Sequence, residues 1–154
     1  MRRRLEQLRA LAPRERRLLV RLVLLLPAIG AALNLLGFKR TRDLLAGLAP
    51  TPADQERLAG ASTADEAQRI ARLVAVAAHH GPYRATCLRQ SLALWWLLRR
   101  RGIPAELRIG VRKDSGDLQA HAWVEHAGAP LDPGSPGYVA FADFDSRATG
   151  LGST

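Results

Sequence analysis

Cysteine, lysine and aromatic residues are scarce in this sequence. It has one cysteine, Cys87, so an internal disulfide bond is excluded and the fold does not need an oxidising compartment. Lys39 and Lys113 are the only lysines, and the net charge of +9 is therefore carried by arginine. Such a charge favours an acidic partner, a nucleic acid or an anionic membrane surface, unless arginine simply occupies positions where any cation is tolerated. Hydrophobic residues make up 47%, which suffices for one domain with a sizeable core, with or without an appendage.

The N-terminal part contains an apolar run that is interrupted too often to predict a membrane span. The run from Leu18 to Leu36 contains Arg21, Pro27 and Asn34. Its cleanest part, residues 22–33, is about 12 residues long, whereas a helix that crosses a bilayer needs roughly 20. We therefore expect buried or interfacial helices in a cytoplasmic protein. Peripheral contact with the inner face of the membrane is left open, and a signal sequence or a span is the alternative.

Leucines recur at helical spacing before this run and through it, which predicts helices from the N-terminal residues onward. Pro13 fits the first turn of a second helix, where proline is tolerated. Pro27 and Gly30 are expected to kink or end that helix. A short helix is then predicted over residues 38–48.

The composition changes at residues 49–63, "APTPADQERLAGAST", and we interpret this stretch as a linker. It divides the chain into an N-terminal helical region, residues 1–58, and a second domain, residues 59–154. Near the end of the linker, Thr63 and Glu66 form the Thr-x-x-Glu pattern of a capping box before an apolar-periodic run. This pattern predicts the first helix of the second domain.

A central helix is predicted over residues 86–101, because arginines in its last turn and Gly102 after it are strong stop signals. It is apolar almost all round, which is typical of a buried helix. The period then becomes alternating, and strands are predicted over residues 105–111, 118–125 and 138–144. Helices followed by strands indicate an α+β fold in which the buried helix packs on an antiparallel sheet.

Cys87 lies in the first turn of the buried helix, where unpaired backbone N–H groups and the helix dipole stabilise a thiolate. A thiolate is a competent nucleophile when a base lies nearby, and His121 on the second predicted strand is the candidate base. A hairpin with a two-residue turn at residues 126–127, or with a bulge at Gly128, would bring Asp132 to the same face. Asp132 would then lie opposite His121 and orient the imidazole. Another register would put Asp132 on the other face of the sheet.

Simpler interpretations of these residues remain open. A lone cysteine is often a small buried hydrophobic residue. The adjacent His79 and His80 point about 100° apart on a helix, so they do not easily ligate one metal. Cys87, His121 and Asp132 together lack a fourth metal ligand. We therefore expect neither a metal nor another cofactor.

The stretch "CLRQSLALWWLLRRRGIPAELRIGV", followed by "AHAWVEHAGAPLD", closely resembles the lasso-peptide biosynthesis B proteins. These are transglutaminase-like cysteine peptidases, related to papain in their core, that remove the leader from a ribosomally made precursor. The resemblance covers about residues 83–132, and the Cys-Leu opening, the Arg-Gly-Ile-Pro helix exit and the Ala-His-Ala-Trp-Val-Glu strand occur in the same order and spacing. It implies that Cys87 is the nucleophile, His121 the base and Asp132 the third member of the triad.

The sequence departs from the family pattern near the aspartate, where "PLDP" has Leu131 in place of an asparagine. Asp143 and Asp145 are therefore the alternative candidates to Asp132 for the third member of the triad. The family has fused and split arrangements, in which a small leader-binding domain is either part of the peptidase or a separate protein. Residues 1–58 are predicted to be helical without an alternating strand, so the chain resembles the stand-alone peptidase, called B2.

The resemblance implies several partners. These are the leader region of a lasso precursor and a separate leader-binding B1 protein with an RRE domain; the macrocyclising C enzyme is a further candidate, and no nucleic acid is expected. Two other classes of function remain. An acyl transferase of the transglutaminase type would form the same acyl-thioester intermediate, and a non-catalytic peptide-binding or membrane-binding module would use Cys87 only structurally.

Overall fold

The structure is a computed structural model that describes residues 12–50, 64–80, 85–114, 117–132, 134 and 137–141. Over these residues the chain forms three helices and four strands. The helices α1, α2 and α3 span Pro13–Gly47, Ala64–His80 and Cys87–Arg99. The strands β1, β2, β3 and β4 span Glu106–Asp114, Asp117–His126, Ala129–Pro130 and Val139–Ala140. The α+β class is confirmed, since the helices are followed by an antiparallel sheet.

Helix α1 is longer than the sequence predicted. It begins at Pro13, as expected, and the Ala12 N–H donates a 3.1 Å hydrogen bond to Glu15 Oε2. The helix does not end at Pro27 or Gly30, because buried side chains on both sides of Pro27 hold it against the core. It is interrupted only at Gly37, whose φ of 76° is left-handed. The predicted short helix over residues 38–48 corresponds to the segment that follows this glycine.

The buried face of α1 meets helix α3 at Gly30. A Cβ atom at Gly30 would lie 2.9 Å from Arg89 Cζ, the far end of a flexible side chain. Gly30 therefore lies against the Arg89 guanidinium and does not end the helix. Arg89 is two residues beyond Cys87, so α1 lies close to the first turn of α3.

Helix α3 is the central, buried helix that the sequence predicted. Its core side chains include Trp95 and Leu98, which are 1% and 0% exposed. The helix ends in a Schellman arrangement, in which the Ile103 N–H donates to Leu98 O at 3.0 Å and Gly102 has a φ of 72°. Trp96, next to Trp95 in the helix, is only partly buried.

The sheet has the strand order β3-β2-β1-β4, and the pairings between neighbouring strands are antiparallel. Strands β1 and β2 form a long hairpin that pairs Gly110 with His121. Gly110 is buried between two neighbours, because a Cβ atom there would collide with Val139 O and would lie 2.9 Å from Trp123 Cη2. Glycine at this position therefore allows β4 and an indole ring to approach the middle of β1.

The alternating pattern predicted the helix-facing side of the sheet correctly. Leu107, Ala122 and Val124 are buried and share the face that the sequence assigned to them. Trp123 lies on the opposite face but is only 4% exposed. Strand β2 is buried on both faces because the glycine in β1 leaves room for this ring. The alternation of apolar and polar residues does not reveal the burial of the second face.

One hydrophobic core joins the three helices and the sheet. Leu22, Leu26 and Ile29 of α1 pack in the same cluster as Ile70 and Val74 of α2 and the buried residues of α3. The predicted linker over residues 49–63 lies largely outside the described residues, as does Thr63 of the predicted capping box. The domain boundary at residue 58 therefore stays a prediction.

Candidate active site

Cys87 occupies the first position of helix α3. Thr86 precedes it in an extended conformation, with φ −66° and ψ 161°, and its side chain makes no capping hydrogen bond. The first intrahelical bond runs from the Gln90 N–H to Thr86 O at 3.1 Å. The N–H groups ahead of Gln90 thus have no acceptor within the helix and create a positive end beside the half-buried thiol.

A side chain of helix α3 holds the segment that precedes Cys87. Gln90 Nε2 donates a 2.8 Å hydrogen bond to Ala85 O, two residues before the cysteine. Because an amide nitrogen carries two hydrogens, one N–H of Gln90 is used here and the other remains for another acceptor. The side chain of Gln90 lies in the same cleft as Cys87.

His121 and Asp132 form a direct pair, with Nε2 and Oδ2 2.6 Å apart. The strand register that produces it differs from the prediction. The hairpin turn is at Ala127 and Gly128, which have φ of 51° and 75°, as in a type I′ turn. Glu125 therefore pairs with Pro130, and an extrapolation of this register places Asp132 across from Trp123 rather than His121. The shift is two residues, so Asp132 stays on the face of His121 and reaches it diagonally.

The carboxylate of Asp132 is held from a second direction. The Gly134 N–H donates a 3.1 Å hydrogen bond to Oδ1, which leaves Oδ2 directed at the imidazole. This is the side-chain-to-backbone bond of an Asx turn, which orients the carboxylate locally. The substitutes Asp143 and Asp145 lie outside the described residues.

Two aromatic rings surround the imidazole of His121. The Trp123 ring lies nearly parallel to it, with centroids 6.2 Å apart and 13° between the planes. The Tyr138 ring is tilted by 36°, with centroids 5.0 Å apart. The Arg112 guanidinium lies 4.7 Å from the centroid of the Tyr138 ring. Sequence reasoning placed Tyr138 at the start of a strand but had no signal that the ring would lie against His121.

A buried hydrogen bond connects the helix of Cys87 to the strand of His121. Ser91 Oγ donates to Ala122 O at 2.8 Å, and Ser91 is 6% exposed. Carbonyl groups two residues apart on a strand point to the same edge, and the next one along this edge, Val124 O, accepts from the Leu131 N–H. Strand β3 thus does not extend to Ala122, and Ser91 takes the place of a strand partner there. No sequence pattern pointed to this role of Ser91.

Cys87, His121 and Asp132 all line one cleft of about 430 Å³. Helix α2 also lines this cleft, with Gln68, Ala71, Arg72, Val74, Ala75 and His79. Within the described part of the chain, no hydrogen bond joins the thiol of Cys87 to the imidazole, and such contacts often tighten only when substrate binds.

Gln119, two residues before His121 on the same face of β2, does not line this cleft. Its Oε1 accepts hydrogen bonds from Arg112 Nη2 at 3.1 Å and from Tyr138 Oη at 3.4 Å. Among the described residues, no group of three or more His, Cys, Asp or Glu side chains is arranged to hold a metal ion.

The comparison with protein families assigns the class. Residues 25–144 match the family model of the transglutaminase-like superfamily, and the chain therefore belongs to this superfamily. Its members include cysteine peptidases and acyl transferases. The match begins inside α1 and includes the elements that carry Cys87, His121 and Asp132. No curated protein and no solved structure matches the chain.

Proposed function

We propose that this protein is a cysteine peptidase that removes the leader from a lasso-peptide precursor. The observation that carries the proposal is the 2.6 Å pair of His121 and Asp132 in the same cleft as Cys87, which begins a buried helix. A cysteine beside a helix N-terminus together with a carboxylate-oriented histidine is the arrangement that activates a thiol for attack on a carbonyl. The superfamily match supports this class of chemistry.

In the proposed reaction, His121 accepts the thiol proton and Cys87 Sγ attacks the scissile carbonyl carbon. Because Asp132 occupies Nε2, the proton is taken at Nδ1. The tetrahedral intermediate collapses when the C–N bond breaks, and His121 returns the proton to the leaving amine. Water then attacks the acyl-thioester, again with His121 as base, so that an acid and the free thiol are regenerated.

The developing oxyanion needs donors that are already in place. The Cys87 N–H at the start of α3 is one, because the helix supplies it with no acceptor. The second N–H of Gln90 Nε2 is a further candidate, since this side chain lines the cleft. Both groups belong to the first turn of α3, which Ser91 fixes to β2.

The choice of a lasso precursor as the substrate is supported by the sequence resemblance over residues 83–132. We propose that leader recognition depends on a separate leader-binding B1 protein and that the product amine is cyclised by the C enzyme. Tethering through a partner raises the local concentration of a peptide, often to the millimolar range. Cleavage by this chain alone should therefore be slow.

The test is a cleavage time course with a candidate precursor, with and without the leader-binding protein, followed by mass spectrometry. We expect two fragments whose masses sum to that of the precursor plus one water, and a strong acceleration by the partner. Equal rates in both samples would refute the dependence on the partner.

Acyl transfer is the second candidate, because transferases of the superfamily use the same thioester intermediate. Adding a primary amine to the time course separates the two reactions. A peptidase gives the acid even with amine present, whereas a transferase gives a product with the mass of the amide. A dominant amide product would replace the peptidase proposal by the transferase.

A further inference from the structure

A second cleft lies between the first part of α1 and the C-terminal end of α3. It has a volume of about 460 Å³ and is lined by Arg21, Arg100, Arg101, Trp96 and four leucines. We call it the arginine cleft. Its lining includes three guanidinium groups and no carboxylate, and it shares no lining residue with the cleft that contains Cys87.

The three guanidinium groups of the arginine cleft are close enough to act on one another. Burial lowers the pKa of Arg101; the carboxylate of Glu66 opposes this shift, and the charges of Arg21 and Arg100 add to it. The Glu66 carboxylate is 3.7 Å from Arg101 Nε and half-exposed, so it compensates this positive charge only weakly. The cleft therefore carries an excess of positive charge that an anion would offset.

Two buried donors in the lining also lack acceptors. Within the described residues, Trp96 Nε1 and Arg101 Nη1 are buried and have no hydrogen-bond partner. An unsatisfied buried donor is unfavourable, and more so when the group is charged. The Arg100 guanidinium lies 5.0 Å from the centroid of the Trp96 ring, so cation, indole and leucines form one amphipathic surface.

We propose that the arginine cleft binds an acidic segment of peptide, with a carboxylate on the arginines and an apolar side chain on the leucines. A carboxylate accepts hydrogen bonds from guanidinium groups in a bidentate manner, and its charge offsets the excess of positive charge in the cleft. The mixture of leucines and arginines in a concave site favours a peptide with alternating apolar and acidic side chains. That this peptide is part of the substrate rests on the proposed function.

Helix α3 sets the distance between the two clefts. Cys87 begins the helix and Arg100 follows its end, so a rise of about 1.5 Å per residue separates them by roughly 20 Å along the axis. An extended peptide covers this distance with about six residues, at roughly 3.3 Å each. The two clefts lie on different sides of α3, so a bound substrate needs a longer connection. The arginine cleft would then hold a leader segment well before the cleavage point.

Binding is tested with full-length Cys87→Ala protein, so that the measurement does not depend on cleavage. The probe is a short fluorescein-labelled peptide of alternating leucine and glutamate, and the control peptide has glutamine in place of glutamate. Fluorescence anisotropy should show binding of the first peptide, at least about tenfold weaker binding of the second, and a decrease with added salt.

Arg21→Glu and Arg100→Glu should each weaken the binding of the glutamate peptide at least about tenfold. Arg69→Glu is the matched control, because it makes the same charge change at an exposed site on α2 outside both clefts. Thermal unfolding of each variant shows whether it is folded. Equal binding by the Cys87→Ala protein with and without either arginine substitution, or an equal loss with Arg69→Glu, would refute binding in the arginine cleft.

Vesicles of phosphatidylcholine with phosphatidylglycerol provide a second arm, since a lipid phosphate is the other plausible anion. Binding to these vesicles that is lost in Arg100→Glu, without any binding of the glutamate peptide, would replace the peptide by a membrane and overturn the proposal. Failure of the wild-type protein to cut a precursor would refute the proposed function but would leave the peptide-binding result intact.

Discussion

Ser91 Oγ and Ala122 O form a buried 2.8 Å hydrogen bond that joins the helix of Cys87 to the strand of His121. Ser91 is one turn beyond Cys87, and Ala122 follows His121 directly in the chain. The contact therefore controls the spacing of the two groups that exchange a proton in the proposed reaction. It also satisfies a carbonyl that β3 is too short to reach.

Ser91→Ala should lower the free energy of unfolding by roughly 1–3 kcal/mol, because it leaves a buried carbonyl without its donor. It should also reduce kcat more than it raises KM, since the spacing of the catalytic groups changes rather than the binding surface. Chemical denaturation and steady-state kinetics measure the two effects. Thr86→Ala is the control, since that hydroxyl makes no capping bond. Equal kcat and KM values for Ser91→Ala and the wild type would show that Ser91 does not position the groups of the site.

Cys87→Ala and His121→Ala should each reduce cleavage by roughly 10³-fold or more while leaving the fold intact, because nucleophile and base act as a unit. Cleavage is measured by mass spectrometry and the fold by circular dichroism. His126→Ala is the matched control on the same strand, since His126 bonds to Pro104 O and does not line the cleft. Full activity in purified Cys87→Ala protein would show that the mechanism is wrong.

Asp132→Asn should reduce the rate less than His121→Ala does, by a margin of at least about tenfold. An asparagine carbonyl oxygen can still accept from Nε2, but it does not stabilise the imidazolium as a carboxylate does. Asp143→Asn and Asp145→Asn are the comparisons, and both should keep wild-type rates. If the cleavage rate fell only in one of these two variants, that aspartate and not Asp132 would be the third member of the triad.

Gly110→Ala should destabilise the protein by about 1–3 kcal/mol, the range for overpacking a filled core. The added methyl group would collide with Val139 O and press on Trp123, the ring that lies beside His121. Gly47→Ala is the control, because a Cβ atom there meets nothing within 4 Å. Thermal unfolding compares the two, and equal melting temperatures would contradict the close approach.

Helix α1 should associate with membranes only peripherally. By length and composition it could cross a bilayer, with a mean hydropathy of 2.1 in its most apolar window, of which 28% is buried. However, its Leu22, Leu26 and Ile29 belong to the core formed with α2 and α3, and insertion would remove them from it. Alkaline carbonate should therefore release the protein from membranes. Release by detergent alone would indicate a true span.

The sequence alone predicted the parts of the site that depend on local pattern. Helix stop signals and apolar periodicity placed Cys87 at the start of a buried helix, and alternation placed His121 on a strand. Asp132 kept the expected face because the observed register differs from the predicted one by two residues, and such a shift leaves a side chain on the same face. The helix and the strands could be predicted because their patterns involve only neighbouring residues.

Only the tertiary structure decided the contacts between distant segments. The helix continues through Pro27 because core packing on both sides outweighs one missing hydrogen bond. Trp123 is buried on the outer face because Gly110 lets β4 approach, and Tyr138 reaches His121 through that same approach. Ser91 meets Ala122 because β3 is short. Local periodicity reports which face a residue occupies, whereas these contacts depend on how three layers of chain fit together, and a pattern of neighbours carries no information about that fit.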